Sequence, residues 1–243
     1  MNYITAKTKI KAMSAKLLST SDYDKLCRTP TYDTLLTRID VHISLLEAFE
    51  RISSYVYLKP VRKFLKIMTN ALNGRGQEDL EITHWTYILW CKLHLLDKPS
   101  RDSLRCVLGT EIDLRNILWI YRLKRFHKVE GSGAIGYLLP VRYRLNNDTL
   151  TALLTCKDIT SLIEVLSQSP YRKIFASTKD FHLGEQRVAN KVKAQFQKES
   201  FGVNATCICK YLYEKHLEIR NIQAISEGVK FGFAPEEILL RLY

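Results

Sequence analysis

Glycine and proline are scarce in this chain, 10 and 6 of 243 residues, while 46% of the residues are hydrophobic. That balance excludes a disordered or low-complexity polymer and favours a globular core of ordinary size. Cysteine is sparse as well. The six thiols, at positions 27, 91, 106, 156, 207 and 209, are scattered along a chain too long for a disulfide-stapled mini-fold, so they read as reduced. No apolar run approaches the ~18 to 20 residues needed to cross a bilayer. The first residues, with Lys7, Lys9, Lys11 and Lys16 interrupting the apolar positions, do not read as a secretory signal. The expected location is therefore cytosolic or peripheral.

Catalytic signatures are missing too. There is no Walker A loop, no H-E-x-x-H and no G-x-S-x-G, so the chain is not expected to hydrolyse nucleotide and no catalytic residue is nominated. Gly131 to Gly136 does spell G-x-G-x-x-G. A dinucleotide site, however, needs a strand before that loop and a helix opening on its last glycine. Here a helix precedes and Pro140 follows, so the stretch reads as a helix stop and a crossover, and no cofactor is expected. Cys207 and Cys209, with His182 and His216, are a weak zinc set, because C-x-C places the two thiols on different sides of a helix. No metal is expected. Trp85, Trp90 and Trp119 lie in helical stripes and read as core.

What is present is helix. Ile10, Met13 and Leu17 mark one face of a first helix ending near Leu18. Tyr32, Leu35, Ile39, Ile43, Leu46, Phe49, Ile52 and Val56 keep helical spacing and predict one long amphipathic helix. Lys59-Pro60 interrupts it, and Gly74-Arg75-Gly76 predicts a turn. A helix around Trp85 is closed by Asp97-Lys98-Pro99, and a short one from Ser100 is expected to end on Gly109 as its C-cap. Thr110 and Asp113 then resemble a capping box. Tyr137 to Arg144 suits a short strand or an extended connection. The remainder again reads helical, with no strand-helix alternation and no hairpin, so the fold class is all-α.

Net charge is +12, from 37 basic and 25 acidic residues. Such an excess suits nucleic acid, anionic lipid or an acidic protein surface, and does not choose among them.

Internal repetition is the most informative feature. Asp113-Leu114-Arg115-Asn116-Ile117 returns as Glu218-Ile219-Arg220-Asn221-Ile222. A second pairing aligns Leu17, Leu18, Asp22 and Leu26 with Leu153, Leu154, Asp158 and Leu162, each aspartate placed to cap a helix. Tyr32 and Tyr171 follow, each near a proline. Two related helical units result, residues 1–130 and 131–243, the first lengthened by extra helices over about 58–108. Within each signature the acid, the arginine and the asparagine fall within about one helical turn, so local pairing could fix them to a neighbouring helix end.

These motifs resemble the family of C-type rotor subunits (d-type in eukaryotes) of V-type and archaeal-type rotary ATPases. Its closing helix typically reads E-φ-x-N-φ-[KR]-x-φ, followed by a glycine and a Pro-acid-acid-Ile segment. Glu218, Asn221, Ile222, Gly232, Pro235, Glu236, Glu237 and Ile238 match that ending, and Asp113, Asn116 and Ile117 match the internal copy. Tyr3 to Leu18 also looks like the family's first helix. The resemblance implies an elongated helical funnel, in which a third unit is absent or diverged beyond recognition. It also implies a non-catalytic central-rotor subunit, peripheral on the cytoplasmic face of a membrane, with the proteolipid ring and the central-stalk subunits as partners in ion transport. The competing reading is a basic all-helical nucleic-acid-binding or scaffold protein. Against it, lysine and arginine are spread along the chain and not gathered in one recognition helix.

Overall fold

Residues 4–39, 44–73, 84–127, 132–202 and 204–243 are described by this computed structural model; among them are fourteen α-helices and no strand. The first half supplies α1 (Ile4–Ser14), α2 (Thr20–Cys27), α3 (Tyr32–Ile39), α4 (Leu45–Ser53), α5 (Lys59–Leu72), α6 (Trp85–Lys92) and α7 (Lys98–Arg122). The second supplies α8 (Ser132–Ile135), α9 (Asn147–Thr155), α10 (Ile159–Ser167), α11 (Thr178–His182), α12 (Gly184–Glu199), α13 (Thr206–Lys230) and α14 (Pro235–Leu239). No helix among the described residues is long and apolar enough to cross a membrane.

Short polar side chains set several of the helix starts. Ser19 and Asp22 form a capping box at α2, Asp97 accepts from Ser100 N at α7, Asn146 from Thr149 N at α9, and Asp158 from Ser161 N at α10. Each such cap satisfies an otherwise orphaned backbone donor and stabilises its helix by about 1 kcal/mol. Pro60 stands in the first turn of α5, where its missing N–H costs nothing.

Three expectations need correction. The single helix expected from Tyr32 to Val56 is two helices, because Ser44 starts α4 with its own box: Glu47 N donates to Ser44 Oγ at 3.2 Å and Ser44 N to Glu47 Oε2 at 2.9 Å. The apolar spacing continues across the break, yet Leu35 packs with Ile225 and Ile238, while Leu45, Ala48, Phe49 and Ile52 enter the main core. Gly109 ends nothing; it lies inside α7, which runs unbroken for 25 residues. A Cβ there would fall 2.4 Å from Tyr143 Cγ, so the glycine is what lets that ring close on the helix. Thr110 and Asp113 are likewise mid-helix and form no capping box, the threonine hydroxyl donating to Cys106 O at 2.7 Å.

Of the two readings for Tyr137 to Arg144, the connection without strand pairing is the one observed. Ser132–Ile135 of the glycine-dense stretch forms one helical turn; Gly131 and the expected Gly74-Arg75-Gly76 turn lie outside the described residues.

α7 and α13, 25 residues each and roughly 37 Å long at about 1.5 Å per residue, are the two longest elements. α12 and α6 pack along α7, and α13 is flanked by α1 to α5, α12 and α14. The main core runs from Ala6 and Ile10 through Phe64, Leu108 and Ile117 to Phe196, Ile208 and Leu217, so both halves of the chain share it. A smaller cluster of Leu26, Cys27, Leu35, Ile225 and Ile238 closes the far end of α13.

Candidate functional site

The acid, asparagine and isoleucine of each signature are buried, whereas Arg115 is half-buried and Arg220 exposed. Asp113 is fully buried and accepts four hydrogen bonds: from Tyr143 N at 3.0 Å, Arg144 N at 2.7 Å, Leu145 N at 3.0 Å and the Tyr171 hydroxyl at 2.6 Å. Four donors thus satisfy the buried carboxylate oxygens, which would be costly to bury unpaired. Burial, and then the Asp113 charge, push the Tyr171 hydroxyl well above the usual tyrosine pKa, so it stays a donor. One turn on, Asn116 grips the main chain of one residue twice, donating to Leu139 O at 3.0 Å and accepting from Leu139 N at 2.8 Å. The irregular segment 139–145 is thereby held on α7 through its main chain.

α13 repeats this use of its residues. Glu218, 2% exposed, accepts from Leu18 N at 2.8 Å and from the Lys215 ammonium, which fixes the approach to α2. Asn221 also grips the main chain of one residue twice, donating to Tyr243 O at 3.3 Å and accepting from Tyr243 N at 2.8 Å. Ile117 and Ile222, the apolar members of the two signatures, are both buried.

Arg115 and Arg220 hold equivalent places in the two signatures, and the fold brings both to one cavity of about 540 Å³ between α6, α7, α12 and α13. Arg115 pairs with Glu111 at 3.3 Å and with Glu185, and Arg122 reaches the same Glu185 at 2.9 Å. Burial works against the Arg115 charge, but the two carboxylates outweigh it and raise its pKa above the ordinary arginine value. Arg220 lies over the Tyr243 ring, 4.7 Å from its centroid, a cation–π contact.

Glu111 is the most perturbed acid. It is fully buried, and burial lifts its pKa to about 7 against the pull of Arg115. Its Oε2 has no hydrogen-bond partner of normal geometry among the described residues. Burial also tends to raise Glu185, yet Arg115 and Arg122 overcome it and the carboxylate stays below the usual range. His84 and His216 are both driven down to about 4, by burial first and then by the nearby arginines, so both rings are neutral at pH 7. The cavity therefore holds a charge network that ties α7 to α12. No group of three or more His, Cys, Asp or Glu among the described residues is arranged to hold a metal ion.

The eight signature residues thus divide among two main-chain clamps, one shared cavity and two buried isoleucines. Sequence reasoning missed Glu111, although it stands one turn before Arg115 with the spacing of an ion pair. It also missed His84 and Glu185, whose carboxylate meets Arg115 and Arg122 of a distant helix, and weighed His216 only as a weak zinc ligand.

A family model described as ATP synthase (C/AC39) subunit matches residues 88–241, well over half of the chain, and takes in both signature helices. No curated protein matches the chain.

Proposed function

Since the chain belongs to the ATP synthase (C/AC39) subunit family, whose members are subunits of V-type and archaeal-type rotary ATPases, we propose that it is the non-catalytic coupling subunit of such a motor. In this reading it sits on the cytoplasmic face of the proteolipid ring, receives the base of the central stalk, and passes torque between ATP hydrolysis and ion translocation. The observation that carries the reading is the family match across α7 and α13.

The geometry supports a mechanical role. A part that transmits torque must resist local opening, and segments held only by exposed contacts open most readily. Here the connections beside both long helices are bolted by buried acid and asparagine side chains. The Arg115 network then ties α7 to α12 at the level where Arg220 of α13 enters the same cavity. We further read residues 1–130 and 131–243 as two related units. The like placement of the two asparagine grips supports that duplication, and unrelated helix orders on superposing the halves would refute it.

Coupling is tested in membranes of the source cell from which this chain has been depleted. Head-group ATP hydrolysis should persist while ATP-driven ion uptake is lost, and adding back the chain should restore uptake. Undiminished uptake without the chain would overturn the reading.

A further inference from the structure

α5 is divided lengthwise. Val61, Phe64, Leu65, Met68 and Leu72 are buried on one side, and Lys59, Arg62, Lys63 and Lys66 are exposed on the other. The spacing i, i+3, i+4, i+7 aligns the four cations in one row, where like charges at i,i+4 repel. Three of them also stand in or beside the first turn, the end at which the helix dipole favours acids, and α5 carries no acid at all. Among the described residues none of the four makes an ion pair. Within the chain, then, the row is electrostatically unfavourable, and a negative partner outside it would relieve the repulsion.

The surroundings say which kind of partner. Tyr57, 78% exposed, and Leu58, 41% exposed, lead directly into the row. Arg62 anchors that turn by donating twice to Val56 O, at 3.1 and 2.8 Å. α1, which carries no acid, adds Lys9, whose ammonium lies over the Tyr55 ring, 5.9 Å from its centroid, beside the same turn. On the neighbouring α4, Glu47 is committed to its capping box, leaving Glu50 beside Arg51. Lysine dominates this surface. A lysine ammonium is a hydrated point charge suited to a diffuse anionic field, and lysine is depleted from protein–protein interfaces, whereas arginine serves bidentate recognition. An exposed tyrosine beside such a row suits the headgroup level of a bilayer, where its ring and hydroxyl are both accommodated.

We propose that the cationic row of α5, with Tyr57 and Leu58 at its head, is a contact surface for anionic lipid headgroups. This goes beyond attachment to a ring and a stalk. Both helices also precede residue 88, outside the segment that the family model matches.

The test is co-sedimentation of the full chain with vesicles of phosphatidylcholine alone and of phosphatidylcholine with phosphatidylserine, across a salt series. Binding should appear only with the anionic lipid and weaken as salt rises. K59E/K63E/K66E should lower the partition coefficient by at least about a hundredfold, since each cation lost from such a surface costs about fivefold and each added carboxylate is repelled. A control of equal charge change at exposed lysines elsewhere, K157E/K173E/K198E, should retain most of the binding, with circular dichroism checking that both variants are folded. Four results would overturn the proposal: no binding to the anionic vesicles, undiminished binding by K59E/K63E/K66E, equal losses in the two variants, or tighter binding to soluble poly-glutamate than to vesicles. No ring or stalk is present in this assay, so its failure leaves the coupling reading standing.

Discussion

Replacing Glu111 by glutamine isolates the most strained charge in the molecule. Glu111 is fully buried, and its pKa rises from 4.5 to about 7 because burial penalises the ionised form more than Arg115 rewards it. An acid raised in this way favours the folded state while it is protonated in both states, at low pH. As pH climbs past 4.5 the unfolded chain ionises first, and stability falls until the folded carboxyl has ionised too, near pH 7, after which the loss is constant. Between pH 5 and pH 8 this amounts to about 2 to 3 kcal/mol. Glutamine keeps the shape without the proton, so the variant lacks this component. His84 and His216 act in the opposite direction: their lowered pKa values remove stability as pH falls from 6.5 toward about 4. Wild type and variant share that loss, so the difference between them reports Glu111. Thermal unfolding of both proteins across pH 5 to 8 should show E111Q gaining on wild type, by roughly 5 to 10 °C in Tm for a chain of this size. Parallel Tm curves with a constant gap would refute the reasoning and mean that Glu111 ionises normally in its cavity.

Three further substitutions test the packing. Asn116→Ala strands the buried N–H and C=O of Leu139 and should cost about 2–3 kcal/mol, whereas Asn221→Ala frees groups of the half-buried Tyr243 and should cost about 1 kcal/mol; amide exchange at Leu139 and Tyr243 reads the two grips separately. Gly109→Ala drives a methyl into the Tyr143 ring and should destabilise by about 1–3 kcal/mol, a loss that Tyr143→Ala should partly cancel in a double-mutant cycle. Ser44→Ala removes the α4 cap and should lower unfolding free energy by about 1 kcal/mol without changing far-UV circular dichroism.

Much of this was legible in the sequence because it is local. The helical period, the cap at Asp158, and the acid, arginine and asparagine of each signature are set by residues a few positions apart. The errors came where partners are remote. Apolar spacing carried through Ser44 because periodicity records that a face is buried, not against what; Leu35 and Leu45 keep the same phase yet serve different cores. Gly109 looks like a helix stop until Tyr143 is known to lie on it. The same limit applied to the cavity. That Arg115 and Arg220 are equivalent could be read from the repeat, but that they line one cavity with Glu185 and two neutral histidines depends on how α12 and α6 pack along α7.

The coupling role is tested most directly by affinity capture of the tagged chain from gently solubilised membranes of its source cell, with mass spectrometry of what remains bound at moderate salt. The proposed function predicts recovery of a proteolipid together with nucleotide-binding head and stalk subunits of a rotary ATPase. Recovery of nucleic acid, or of no membrane protein, would contradict it and leave the +12 charge as the better guide to what this chain binds.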